Sequence, residues 1–189
     1  MPSRAVVRDY GEIAAERILD VAARLFVEHG VAGVGMGDVA RAAGCSRATL
    51  YRYFDSREAL RIAYVHREAR RINEELAAHA AAIRDPTARV VECVLETLRR
   101  VRRDRALAAW FTPNDSGIAA AVAQSSDVIE RMVAVFLGDP AAPATIRRAR
   151  WLLRVIVSLL TMPGADEADE RAMIEQFVAP VVATRRNDR

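Results

Sequence analysis

The sequence predicts an all-α chain: an N-terminal three-helix unit of helix-turn-helix form, then a C-terminal helical bundle. Three observations carry this. Of 189 residues, 36 are Ala and all 28 basic residues are Arg, and both types rank high in helix propensity. Apolar residues recur at helical spacing along most of the chain, and Gly, Pro, Asp and Ser sit where each run stops. With 52% apolar residues, nine Gly and seven Pro, the composition excludes intrinsic disorder and fibrous repeats, and the length admits one medium or two small domains.

From Glu12 onward, Ile18, Val21, Ala22, Leu25 and Phe26 fall on one helical face, with Arg17, Asp20, Arg24 and Glu28 elsewhere. Gly30 ends that pattern as a residue suited to the left-handed conformation past a helix. After GVAGVG, the segment around Val39–Ala43 is too short to be stable alone and must pack on something. Gly44 breaks it, Ser46 is an N-cap, and Arg47 to Phe54 reads as a second short helix. Two short helices across a tight glycine turn make a helix-turn-helix. Ala40 is small where the helices approach, and Val39, Cys45 and Leu50 are apolar toward their shared core.

The wheel of the second short helix decides what faces outward. Leu50 and Phe54, roughly 40° apart, mark its buried side. Opposite them lie Ala48, Thr49 and Arg52, flanked by Tyr51 and Tyr53. Such a helix suits a major groove: Arg52 and Thr49 meet base edges, Ala48 permits close approach, and the tyrosine hydroxyls bond phosphates. Charge agrees. Residues 1–71 hold 12 Arg and 9 acids, whereas residues 72–189 hold 16 of each, so the net +3 lies in the first third. Residues 41–53 carry Arg41, Arg47 and Arg52 with no acid.

The stretch Asp38-Val39-Ala40 through Ala43-Gly44-Cys45-Ser46-Arg47-Ala48-Thr49-Leu50-Tyr51-Arg52-Tyr53-Phe54, followed by Ser56-Arg57-Glu58-Ala59-Leu60, resembles the DNA-binding domain of TetR-type (tetracycline-repressor-like) regulators. The resemblance covers roughly residues 10–60. It implies DNA contacts by Arg47, Thr49, Tyr51, Tyr53 and Arg57, beside the Ala48 and Arg52 read from the wheel. Positions 34–37, Val-Gly-Met-Gly, depart from the family's usual hydroxyl cap and polar residue. Gly35 still serves as a cap at little cost, but Gly37 offers no side chain to phosphate.

Asp55 and Ser56 cap a long helix from Arg57, with Val65, Ala69, Ile72 and Leu76 as its apolar stripe, running to about Ile83. The domain boundary falls there: residues 1–56 form the DNA-binding unit and 57–189 the ligand-binding and dimerisation unit. Asp85-Pro86 starts a helix whose stripe is Val90, Val91, Val94, Leu95, Leu98 and Val101. A shorter helix over 105–111 ends at Thr112-Pro113, and Asn114-Asp115-Ser116 caps one helix over 116–137. Over 146–162 apolar residues point in nearly every direction, so that helix needs partners on two sides. The last helix carries Met173, Ile174, Phe177, Val178, Val181 and Val182, and Pro180 kinks or ends it.

The family resemblance implies homodimers formed by the last two long helices, and an all-round apolar helix can cover its own core and a twin together. Leu152, Val155, Ile156, Leu159, Phe177 and Val181 are the candidate dimer residues. Two-fold symmetry then predicts a roughly palindromic operator in double-stranded DNA. Cys93, Trp110, Phe111, Met132, Phe136 and Trp151, with Met162, either fill ordinary core or line a ligand cavity. The scarce polar candidates nearby, Cys93, Asn114, Gln124 and Ser158, suit a mostly apolar small-molecule effector.

Other classes find little support. Cys45 fits the small apolar residue its turn needs, and two cysteines build no disulfide framework. His29, His66 and His79 lack metal-ligand spacing, and no nucleophile with its base or phosphate loop is visible, so neither an enzyme nor a cofactor is expected. The N-terminus lacks the apolar core of a signal peptide, and the longest apolar stretch, Trp151 to Pro163, is interrupted by Arg154. A cytoplasmic protein without membrane attachment is expected. The sequence thus reads as a ligand-responsive regulator, a repressor released from its operator by an effector. The alternative is a helical ligand-sequestering or protein-interaction module with a degenerate helix-turn-helix, prompted by Gly35 and Gly37.

Overall fold

The computed structural model describes residues 4–183, with side chains from Glu12 onward, and the described residues are helical with no strand. Helix α1 (Arg4–Gly33) loses helical geometry at Gly30, whose φ of +71° needs a residue without Cβ. The helix proper therefore stops at His29, and residues 31–33 form a separate turn that leads into α2 (Met36–Ala42).

Gly35 caps α2 in an extended conformation and donates its N–H to the Asp38 carboxylate at 3.1 Å, the reciprocal half of a capping box, while the Asp38 N–H turns to the Gly35 carbonyl at 3.1 Å for want of a hydroxyl. The turn to α3 (Arg47–Tyr53) passes through Gly44 at φ +67°, and the Cys45 N–H closes it on the Ala40 carbonyl at 3.0 Å. Ser46 caps α3 by accepting the Thr49 N–H at 3.0 Å. Val39, Ala40, Leu50 and Phe54 then bury themselves with Ile18, Leu19, Ala22 and Phe26 of α1. Seven-residue helices are stable only because of this shared core.

Helix α4 (Arg57–Ala82) rises about 39 Å and reaches from the N-terminal unit into the bundle. Leu60 and Tyr64 pack at the α1 end, where Arg67 bonds Glu16 at 3.2 Å and Asp20 at 2.9 Å. Helix α5 (Pro86–Arg103) is the spine of the bundle: Asp85 caps it at 2.7 Å and its apolar stripe is buried along the whole length. Beneath it, the buried Glu170 accepts two bonds from Arg102, at 2.6 and 2.8 Å, and the Gly164 N–H at 3.1 Å.

Three elements differ from the sequence expectation, each for a local reason. The helix expected over 105–111 is α6 (Arg105–Ala108) followed by a tight 3-10 turn, Ala109–Phe111. The helix expected over 116–137 is two helices, α7 (Ser116–Ser125) and α8 (Asp127–Leu137). Ser126 leaves the helical conformation between them, caps α8 through the Ile129 N–H at 3.2 Å, and bonds His66 Nε2 at 2.7 Å. After α9 (Pro143–Thr161) and α10 (Glu167–Met173), the chain widens into a π-helical turn, Ile174–Val178, before α11 (Ala179–Val182). Pro180 lacks the N–H for residue 176 and its ring crowds that carbonyl, so the turn opens there.

Candidate DNA-reading surface and adjoining cavity

The exposed face of α3 follows from its burial. Leu50 is fully buried, while Arg47, Ala48, Tyr51 and Arg52 are exposed and Thr49 and Tyr53 are half-buried. The Thr49 hydroxyl lies 2.9 Å from Ser46 Oγ, so it belongs to the cap before it meets any outside partner. Arg57, exposed at the start of α4, reaches the Ala32 carbonyl at 3.5 Å. These seven residues, expected from the sequence to meet DNA, lie on α3 and the first residue of α4.

Gly37 has a role that the sequence reading missed. A Cβ there would lie 2.4 Å from Arg47 Nη2, so the guanidinium lies across the bare backbone of α2. Arg41, by contrast, reaches Asp38 at 3.4 Å and stays exposed.

Behind this unit, α4, α5, α7, α8 and α9 surround a half-open chamber of about 240 Å³. Cys93, Trp110, Phe111, Met132 and Phe136 line it, as the sequence suggested. Burial pushes the Cys93 thiol above its ordinary pKa, so it stays neutral and joins an almost wholly apolar wall. Trp151 does not line the chamber. It is 46% exposed, and its neighbour Leu152 points inward, 2% exposed. Among the candidate dimer residues, Leu152 and Leu159 are likewise buried within the subunit and Ile156 lines the chamber. Val155 is half-buried, and only Phe177 and Val181 are exposed. The expected face of α9 was thus one residue out of phase: 149, 152, 156 and 159 turn inward, while Trp151 and Met162 turn outward.

The chamber also takes from α4 the residues expected only as an apolar stripe, Val65, Ala69, Ile72 and Leu76, together with Asn73, which lies outside that stripe. The signal was present. That stripe continues past Tyr64 yet stays only half-buried, as a face beside an unfilled space does.

Chamber and reading unit meet at Trp110. Its ring stacks on Tyr64 at 5.8 Å and meets Phe26 edge-on at 5.5 Å, and its Nε1 has no hydrogen-bond partner among the described residues. Five residues on, the buried Asp115 carboxylate accepts the Ala32 N–H at 2.7 Å and the Thr112 hydroxyl at 3.1 Å. A Cβ on Gly30 would stand 3.0 Å from that carboxylate. From the other side, Arg61 of α4 donates to the Val31 carbonyl. The joint between α1 and α2 is therefore held by a loop of the chamber wall and by the long helix together.

A glycine-turned pair of short helices with an exposed basic and aromatic second helix, joined to a hollow helical bundle, defines a helix-turn-helix DNA-binding regulator. Residues 18–64 match the model of bacterial regulatory proteins of the tetR family. An uncharacterised HTH-type transcriptional regulator of Mycobacterium tuberculosis H37Rv is 54% identical over 174 residues, covering 90% of this chain and 86% of that protein. The chain belongs to the TetR family of transcriptional regulators. Among solved structures, the TetR family repressor AlkX from Dietzia, implicated in biodegradation of n-alkanes, aligns with a TM-score of 0.64 at 22% identity, over 88% of this chain and 98% of its own. FadR from Bacillus subtilis in complex with stearoyl-CoA aligns with a TM-score of 0.59 at 15% identity, over 89% and 97%. At those identities the likeness is one of fold. No helix among the described residues is long and apolar enough to cross a membrane.

Proposed function

We propose that this regulator is a homodimeric repressor, which an apolar small molecule bound in the chamber releases from a palindromic operator. The observation that carries the reading is the half-open apolar chamber whose wall residue Trp110 also stacks in the aromatic cluster under the reading unit. An effector acts only through its difference in affinity between two conformations. A ligand that displaces Trp110 and the loop carrying Asp115 shifts the α1–α2 joint, and α3 moves with it.

In this reading Arg52, Ala48 and Thr49 face base edges, while Arg47, Tyr51, Tyr53 and Arg57 hold phosphates. Dimerisation is supported by Trp151, Met162, Phe177 and Val181, large apolar side chains left 46–69% exposed on α9, just past its end and on the final helical segments. The folded cap at Gly35, closed by Asp38, weighs against a degenerate helix-turn-helix.

Selection from a random duplex library, with mass measurement of the complex, tests the reading. One enriched palindrome bound by two chains is expected, with log affinity falling linearly with log salt. Enrichment of no sequence, or a monomeric complex, overturns it.

A further inference from the structure

Beside the apolar chamber lies a second cavity, a cleft of about 610 Å³ between α7, α8 and α9. The two share Ala123, Leu153 and Val157, so they adjoin across these side chains. Their chemistry differs. The cleft is lined by Ser116, Gln124, Arg154, Ser158 and Thr161, together with Glu130 and Arg150. Alone, the chamber is smaller than most ligand sites, whereas chamber and cleft together fall within the usual range of roughly 300–1,000 Å³.

We propose that the cleft is a head-group site, and that the effector is an amphiphile with one apolar chain in the chamber and an anionic head in the cleft. This rests on the chamber being the effector site. The charge balance selects the sign. Glu130 and Arg150 pair with each other in two hydrogen bonds, which leaves Arg154 without an acidic partner among the described residues. The first residues of the ten-residue helix α7, Ser116 and Gly117, also line the cleft, but the Ser116 N–H already bonds the Thr112 carbonyl at 2.9 Å and the acidic Asp115 is that helix's N-cap, so this end adds no free positive charge. The C-terminal end of α9 borders the cleft as well, but its carbonyls at Ser158 and Leu159 already accept from Met162 N–H and Arg102. Among the described residues, Arg154 is thus the unpaired charge where the apolar wall stops.

Calorimetric titration of the full chain with decanoate, decyl phosphate, decanol and decyltrimethylammonium, all below micellar concentration, tests this. Both anions are expected to bind about tenfold more tightly than decanol, the worth of one charge-assisted hydrogen bond in a half-open site. Decyltrimethylammonium is expected to bind more weakly than decanol. Arg154→Gln, at an exposed position, should erase the anion preference and leave decanol affinity unchanged. A larger gain for decyl phosphate than for decanoate would mark a phosphorylated head, and the reverse a free carboxylate. Equal affinity for all four heads, or an anion preference that survives in Arg154→Gln, overturns the head-group site and leaves the chamber standing. Failure of every amphiphile to bind, decanol included, overturns the chamber as well.

Discussion

Replacing Asp115 by Ala removes the one carboxylate that ties the chamber wall to the α1–α2 joint. The side chain is 3% exposed and accepts the Ala32 N–H at 2.7 Å and the Thr112 hydroxyl at 3.1 Å. A net hydrogen bond to a charged group contributes about 1.5–3 kcal/mol. Ala32 is exposed, so its freed N–H recovers some of the loss from water. About 2–3 kcal/mol of destabilisation is expected, which for a chain of this size lowers Tm by about 4–12 °C. Asp115→Asn keeps an acceptor oxygen in place and should lose about 1 kcal/mol. Urea unfolding gives the stability, and amide exchange at residues 30–35 gives the local opening of the joint. In Asp115→Ala those amides should exchange faster than the change in global stability accounts for. A variant as stable as the parent, with unaltered exchange at the joint, would refute the idea that this contact holds the two units together.

Other positions give sharp outcomes. Arg52→Ala is expected to weaken specific operator binding by about 1–3 kcal/mol and relax preference at one base position, whereas Tyr51→Phe should weaken binding evenly over sequences; a competition assay on operator variants separates them. Gly37→Ala forces the Arg47 guanidinium off α2 at little cost, because only a flexible side chain must move; stability should stay within about 0.5 kcal/mol while DNA affinity changes. Arg102→Ala strands the buried Glu170 carboxylate and should cost about 3 kcal/mol, at the low end for a broken pair because Arg102 is itself 36% exposed. Acid gives the complementary measurement. Arg102, followed by the Gly164 N–H, holds the Glu170 pKa below the ordinary carboxylate value of 4.5. Its contribution is therefore complete above that pH and is lost as pH falls through the lower folded value. Stability measured from pH 6 downward should decline less steeply in Glu170→Gln than in the parent, about that lower range.

What could be read without coordinates depended on contrast between faces. Helix α3 sets Leu50 and Phe54 against Arg47, Ala48 and Arg52, so one assignment of its inner side fits and the structure has the same side buried. Helix α9 offers no such contrast from Trp151 to Leu160, and the expected faces there were rotated by one residue, exchanging Trp151 with Leu152. Long-range contacts were illegible for another reason. Nothing local to Asp115 distinguishes an N-cap, as expected, from a carboxylate reaching 83 residues back to Ala32. Arg47 across Gly37 is of the same kind: an absent side chain read as a lost phosphate contact is also room for a neighbour. The break at Ser126 was legible in principle, since Ser-Asp is a common helix start.

The divided duty of α9 has an evolutionary consequence. Its inward positions Leu153 and Val157 border both chamber and cleft, and Leu152 and Ile156 join chamber to core, so a change at any of them disturbs more than one neighbour. On α4, Ala69, Ile72, Asn73 and Leu76 meet the chamber while Arg70, Arg71, Glu74 and Glu75 face solvent. If the chamber holds the proposed effector, preference among effectors can drift through substitutions on that helix with few side effects. Relatives that answer to different molecules should therefore diverge sooner along α4 than along α9.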